Sequence, residues 1–159
     1  MILGAPTQTR RFHPLRGWAL LLVCALAGFG AVASAEDAEE VPVNVIVVHT
    51  SDEAGGVDPR AKDLDAKLKG QLRYNRMKVL REERVNLKMD QVGTIPLPDG
   101  RAVRVQPLHK GKQGVLMAVD VEDTVKLDAR APNHHKVVIG AGEYEDGNLA
   151  ISIEPDYAE

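Results

Sequence analysis

Residues 43–50, with the sequence VNVIVVHT, decide the fold that this chain predicts. The stretch is dense in β-branched residues, which are enriched in strands. Its apolar side chains fall on both faces of an extended chain, with Val43, Val45 and Val47 on one side and Ile46 and Val48 on the other. We therefore expect a central strand that is buried on both faces.

A helix is predicted shortly after this strand. Asp58 suits the N-cap position and Pro59 the first helical position. The spacing predicts a helix that ends near Tyr74-Asn75. Its apolar face would carry Ala61, Leu64, Leu68 and Leu72.

From Met77 onward the apolar residues recur with a period of two, which is typical of half-buried strands. Arg81 and Glu83 interrupt this pattern, so a bend or a bulge is expected there. Pro98-Asp99-Gly100 is a strong turn signal and predicts a hairpin. Further strands are predicted over residues 92–97, 102–108, 115–121, 125–127, 137–139 and 149–153. The fold class is thus mainly β (α+β): an antiparallel β-sandwich or curled sheet of seven to eight strands, with one helix from the N-terminal half packed on it.

The beginning of the chain has the pattern of an export signal. Arg10, Arg11 and Arg16 precede an apolar run from Trp18 to Val32, and Ala33-Ser34-Ala35 ends it. We expect a cleavable signal peptide over residues 1–35, an acidic linker over 36–42 and a single β-rich domain over 43–159. The run is shorter than the ~20 residues of a comfortable membrane span, so no span is expected in the mature chain. An uncleaved anchor is the alternative.

Cleavage near Ala35 would place the protein in the periplasm or outside the cell and would change its composition. Cys24, the only cysteine, would be lost, so the mature chain has no internal disulfide. Its aromatic residues would be Tyr74, Tyr144 and Tyr157. Stability must then come mainly from aliphatic burial, at about 25 cal/mol per Å².

A resemblance to a known family rests on two structural signals. One is Asp58-Pro59-Arg60 followed by the apolar helix face and Tyr74, and the other is Leu97-Pro98-Asp99-Gly100-Arg101 after a strand around Val79-Leu80. Over residues 43–121 the chain resembles an uncharacterised family of small exported bacterial proteins. The resemblance implies an envelope location and a β-rich fold, and it brings no activity or catalytic residues.

Four histidines of the mature chain are candidate metal ligands, because imidazole is a common ligand of transition metals. None of them shows an H-x-x-x-H or H-E-x-x-H spacing, and neighbouring residues of an extended segment point to opposite faces. The acidic tip at residues 143–148 lacks the spacing of an EF-hand loop and is predicted to be a solvated turn. No metal or other cofactor is therefore expected. The candidate histidines are His49, His109, His134 and His135.

The sequence offers no catalytic constellation. G-x-S-x-G is absent, and the mature chain contains only Ser51 and Ser152 as serines. Gly140-Ala141-Gly142 is followed by acidic residues rather than by a P-loop lysine. We therefore expect a protein that is not an enzyme.

Charge is distributed unevenly along the chain. Residues 60–112 carry 14 Lys/Arg and 6 Asp/Glu, whereas residues 36–59 and 113–159 are both acidic. Strands of opposite charge can compensate one another across a sheet, which is the simpler interpretation. The functional interpretation is a basic patch that attracts an acidic partner. Its members would be Lys67, Lys69, Arg73, Arg76, Lys78 and Arg104.

Two functions follow as hypotheses. The first is a non-catalytic accessory or interaction domain of the bacterial periplasm, part of an envelope or secretion-related assembly, that binds partner proteins through exposed sheet edges. The second is a small periplasmic binding protein for a metal ion or an anionic ligand. Nucleic acid is not expected as a partner, because the mature chain is acidic and has few aromatic residues for base stacking.

Overall fold

The computed structural model describes residues 39–158, so the predicted signal peptide lies outside the described residues. Eight strands and one short helix follow one another along the chain. They are β1 Glu40–Ser51, a 3-10 turn Pro59–Ala61, α1 Lys62–Leu68, β2 Arg76–Lys88, β3 Gly93–Pro96, β4 Ala102–Gly111, β5 Gly114–Val121, β6 Val125–Ala131, β7 Val137–Tyr144 and β8 Gly147–Pro155.

The strands form two four-stranded antiparallel sheets. The first has the order β2-β1-β8-β7 and the second the order β3-β4-β5-β6. Their facing sides meet in one apolar core, built almost entirely from aliphatic side chains such as Val45, Ile95, Met117 and Ile151. The predicted class, a mainly β fold of antiparallel strands with one helix, is confirmed.

Strand β1 is the central strand that residues 43–50 predict. It pairs with β2 on one side and with β8 on the other. Val43, Val45 and Val47 point into the core between the sheets. On the opposite face Val48 is fully buried beneath Leu64 and Leu68 of α1. Both faces of the strand are therefore covered.

Strand β2 contains the predicted bulge. Val47 of β1 pairs with Arg81 and the next residue, Val48, pairs with Val79, which leaves Leu80 as the extra residue. Because side chains alternate along a strand, one extra residue reverses which face the following residues point to. Met77 and Val79 accordingly pack against the helix, whereas Leu87 packs in the core between the sheets.

The helix is shorter than the sequence predicts. It ends at Leu68 instead of near Tyr74-Asn75, and Leu72 is 42 % exposed rather than part of an apolar helix face. Gly70 follows the C-cap residue Lys69, and glycine in a helix interior costs about 1 kcal/mol relative to alanine. The chain then turns back, and the hydroxyl of Tyr74 donates to Asp65.

Two further boundaries differ from the prediction. Strand β1 begins at Glu40, inside the stretch expected to be a linker, because Glu40 pairs with Lys88 of β2. The expected loop at residues 143–148 is a tight hairpin, since Tyr144 pairs with Gly147 and only Glu145 and Asp146 form the turn. Within residues 39–158, no helix has both the length and the apolar character that crossing a membrane requires.

Candidate functional site

The six members of the predicted basic patch do not lie on one surface element. Lys67 lies on α1, and Lys69 is the first residue after this helix. Arg73 lies in the connection that follows, and Arg76 and Lys78 belong to β2. Arg104 is separate from these five, because it belongs to β4 in the second sheet.

Three of the six cations are paired with nearby acids. Lys69 contacts Asp65 at 2.8 Å, and Arg76 contacts Glu53 at 2.7 Å. Arg104 lies 3.5 Å from Asp120 and 3.4 Å from Glu122. Of these three pairs, that of Arg104 with Asp120 joins opposite residues of β4 and β5, which is the cross-strand compensation that the uneven charge distribution allows.

Three of the candidate histidines lie apart from one another or are held by local contacts. His109 lies on β4 at a register irregularity, opposite Leu116. His134 adopts a left-handed backbone with φ 58° and places Nδ1 3.4 Å from Asp156. His135 places Nδ1 2.9 Å from the backbone oxygen of Asn133. Their positions give no shared set of metal ligands.

The fourth histidine, His49, belongs to a different arrangement. It lies near the end of β1, is only 8 % exposed, and places Nε2 3.5 Å from Oδ1 of Asp146. Glu145 completes the group, and the ligand atoms of the three side chains lie within 4.8 Å of one another. We call His49, Glu145 and Asp146 the hairpin triad. In residues 39–158 it is the one set of three histidine, cysteine or carboxylate side chains close enough to hold a metal ion.

The hairpin between β7 and β8 places the triad. The backbone oxygen of Tyr144 lies 3.2 Å from Nε2 of His49, and the two rings meet edge to face with centroids 5.5 Å apart. Gly147 allows the turn to close over β1, because a Cβ atom there would overlap the backbone oxygen of Thr50 and lie 2.9 Å from Nε2 of His49. The imidazole is thus fixed between the hairpin and the sheet.

Glu145 holds its place in the turn with a left-handed backbone, at φ 51°. Hydrogen bonding to the Glu145 carboxylate raises the pKa of Tyr144 above its ordinary value. Glu145 and Asp146 are both exposed, so solvent reaches the carboxylate side of the triad.

Sequence reasoning considered both halves of this triad but did not join them. Ligand spacing along the sequence groups His49 with the other histidines, and it compares the acidic tip separately with a calcium-binding loop. The signal that joins them is the pairing of β1 with β8, in which His49 lies opposite Leu149, three residues beyond Asp146 of the turn. That register depends on long-range strand pairing and is not encoded in local spacing.

A second candidate surface lies on the outer side of the second sheet. A shallow groove of ≈ 480 Å³ follows β4, β5 and β6, and we call it the outer groove. Val92 at its rim is 49 % exposed, whereas most large apolar side chains of the described residues are buried or partly buried. On its floor Oδ1 of Asp120 is buried and, among the described residues, has no hydrogen-bond partner. The lining residues are Val92, Arg104, Gln106, Ala118, Val119, Asp120, Lys126, Leu127 and Asp128.

The edge strands differ in how well they resist pairing with another chain. The β2 edge carries the bulge at Leu80, followed by four charged residues at 81–84. Strand β3 has only four residues and ends at Pro96, and the β7 edge shifts register between Gly140 and Glu143. Strand β6 pairs with β5 in unbroken register from Val125 to Ala131. Bulges, prolines, short strands and charged side chains are the usual ways to block an edge. Strand β6 has charged side chains on its exposed face, but its seven residues contain no proline and pair without a bulge.

The hairpin triad and the β6 edge therefore offer different chemistry. The hairpin triad offers one imidazole and two carboxylates, and the β6 edge beside the outer groove offers unpaired backbone groups.

Comparisons of the chain with protein-family models, with curated proteins and with solved structures find no significant match in any of the three.

Proposed function

We propose that this protein is a non-catalytic interaction module of the bacterial envelope, which binds an extended segment of a partner protein as an additional strand beside β6. The observation that carries this proposal is the unbroken register of β6 at the edge of its sheet, in contrast to the bulged or short edges elsewhere in the described domain. An open, regular edge supplies backbone donors and acceptors for strand addition.

The exposed side chains of β6 define the chemistry of the partner. Lys126, Asp128 and Arg130 alternate along the outer face, between inward-facing Leu127 and Ala129. Residues directly opposite each other in an antiparallel pair share a face, and opposite charges there are favourable. The partner strand therefore carries an acid, a base and an acid in alternate positions, with small or apolar residues between them.

The existing neighbour of β6 already follows part of this pattern. Asp120 of β5 lies opposite Lys126, and their charged groups are 3.1 Å apart. Next to them, Ala118 opposite Asp128 leaves space in the outer groove. A long side chain of the partner has room to cross β6 there.

The envelope location belongs to the proposal as well. It rests on the arginine-rich, apolar and small-residue pattern of residues 10–35, which is that of a cleavable export signal.

Site-specific photo-cross-linking in living bacteria tests the proposal. A photoreactive residue replaces Asp128 on β6 in one variant and Glu82 on the bulged β2 edge in the matched control. We expect a discrete cross-linked product from position 128 and none from position 82. Mass spectrometry of the product should identify an extended partner segment with alternating charges. Equal products from both positions, or none from position 128, would contradict the proposal.

A further inference from the structure

We propose that the hairpin triad of His49, Glu145 and Asp146 binds a divalent transition metal ion of the Zn²⁺ class. This inference does not depend on the proposed function, because the triad lies on the β1 and β7–β8 side of the first sheet, whereas β6 belongs to the second sheet.

Distances within the triad match a metal shell. Zinc bonds of 2.0–2.1 Å to nitrogen and similar lengths to oxygen place neighbouring tetrahedral ligands about 3.3 Å apart. Nε2 of His49 already lies 3.5 Å from Oδ1 of Asp146. The Glu145 carboxylate oxygen lies no more than 4.8 Å from the ligand atoms of the other two side chains. Rotation of an exposed glutamate side chain is enough to close this distance.

The histidine is the part of the site that is built in advance. Its side chain is about nine-tenths buried, and the Tyr144 ring packs edge to face against the imidazole. Nε2 donates its proton to the Tyr144 backbone oxygen, so metal binding requires this proton to pass to Nδ1 or to solvent before the Nε2 lone pair forms the metal–nitrogen bond. Preorganised ligands lose little conformational freedom on binding, which favours affinity.

The identity of the ligands selects the class of metal. Imidazole suits zinc, copper and nickel, whereas calcium takes six to eight oxygen ligands at 2.3–2.6 Å. One buried nitrogen with two carboxylates is therefore a poor calcium site and a suitable zinc site. Three protein ligands leave a fourth position, and the exposed carboxylates keep that position open to water or to a ligand from another molecule.

Calorimetric titration of the untagged, purified protein with ZnCl₂ tests the inference, with CaCl₂ as the comparison ion. We expect one equivalent of Zn²⁺ to bind more tightly than Ca²⁺. Glu145→Gln and Asp146→Asn should each weaken Zn²⁺ binding by about tenfold or more, because each removes one charged ligand while conserving shape. Both positions lie in an exposed turn, so these variants keep the fold.

The matched controls lie elsewhere on the chain. His134→Gln removes an exposed imidazole beside Asp156 and should leave Zn²⁺ affinity unchanged. His49→Gln should abolish binding, and circular dichroism of the same sample shows whether the sheet persists. Failure to bind Zn²⁺, tighter binding of Ca²⁺ than of Zn²⁺, or unchanged Zn²⁺ affinity in Glu145→Gln and Asp146→Asn would each overturn the inference.

Discussion

The hydroxyl of Tyr74 donates a 2.8 Å hydrogen bond to Oδ1 of Asp65, while Lys69 lies 2.8 Å from Oδ2 of the same carboxylate. Asp65 is only 8 % exposed, so these contacts hold a charge at the buried side of the short helix. They also fasten the connection that follows α1 back onto the helix. The contact thus explains how a seven-residue helix keeps its place on the outer face of the first sheet.

Replacement of Tyr74 by phenylalanine should destabilise the domain by about 1.5–3 kcal/mol, because hydrogen bonds to charged groups contribute roughly that much. Chemical denaturation followed by circular dichroism measures the change. Tyr157→Phe is the matched control, since Tyr157 contacts Lys110 through the face of its ring and this contact does not need the hydroxyl. Equal effects of the two substitutions would show that the Tyr74 hydroxyl contributes nothing specific.

The same carboxylate predicts a dependence of stability on pH. The hydrogen bond from Lys69, followed by the one from Tyr74, lowers the pKa of Asp65 below its ordinary value. A pKa that is lower in the folded state gives stability above the unfolded value of about 3.9, and this stability is lost as pH falls through the folded value. Asp65→Asn should therefore be less stable than the natural protein at pH 7, and the difference should shrink below about pH 4. A difference that stays constant between pH 7 and pH 2 would contradict this prediction.

The sequence predicts the sheets well because their signals are local. Alternation of apolar residues from Met77 onward and the turn at Pro98-Asp99-Gly100 both depend on neighbours only a few residues apart. The helix end was wrong because Leu72 continues the apolar spacing, although the chain leaves the helix after Leu68. Periodicity alone does not reveal the turn at Gly70 or the contact that Tyr74 makes with Asp65.

Neither candidate surface could be predicted from spacing. His49 and Asp146 are almost a hundred positions apart, and only the pairing of β1 with β8 brings them to 3.5 Å. The outer groove requires knowledge of which strands end each sheet, since Lys126 and Asp128 look like ordinary solvated charges in the sequence. Both surfaces depend on long-range register, which is set by the whole core rather than by local residues.

Gly147 and Gly140 form a pair for testing how tightly the triad hairpin closes. A Cβ atom at Gly147 would overlap the backbone oxygen of Thr50, whereas a Cβ at Gly140 meets nothing within 4 Å. Gly147→Ala should cost about 2 kcal/mol or more, because the obstructing atom belongs to the backbone of a central strand. Gly140→Ala should be neutral or stabilising by up to about 1 kcal/mol. Thermal unfolding of both variants checks this contrast, which equal melting temperatures would refute.

The predicted export signal implies a particular mass for the natural protein. Cleavage near Ala35 would leave a chain that begins at Glu36 and lacks the single cysteine, Cys24. Intact-protein mass spectrometry of the periplasmic fraction should therefore detect a chain that does not react with thiol reagents. A cytosolic chain that still carries residues 1–35 would contradict both the cleavage and the envelope location.

The extra residue in β2 leads to the most severe effect that we expect. Deletion of Leu80 restores continuous pairing with β1, and the residues on one side of the former bulge must then turn to the other face. Either Met77 and Val79 leave the helix contact, or Leu87 leaves the core between the sheets. We expect a loss of more than about 4 kcal/mol, which places the deletion among the exceptional single changes.

Leu80→Ala is the matched control, since it removes most of the same side chain and keeps the bulge. Leu80 is only partly buried, so truncation should cost about 1–2 kcal/mol, less than for a fully buried leucine. Urea denaturation of both variants separates the contribution of the side chain from that of the extra residue. If the deletion is no more harmful than the truncation, β2 can move its bulge to another position, and the reversal of faces at Leu80 does not specify the fold.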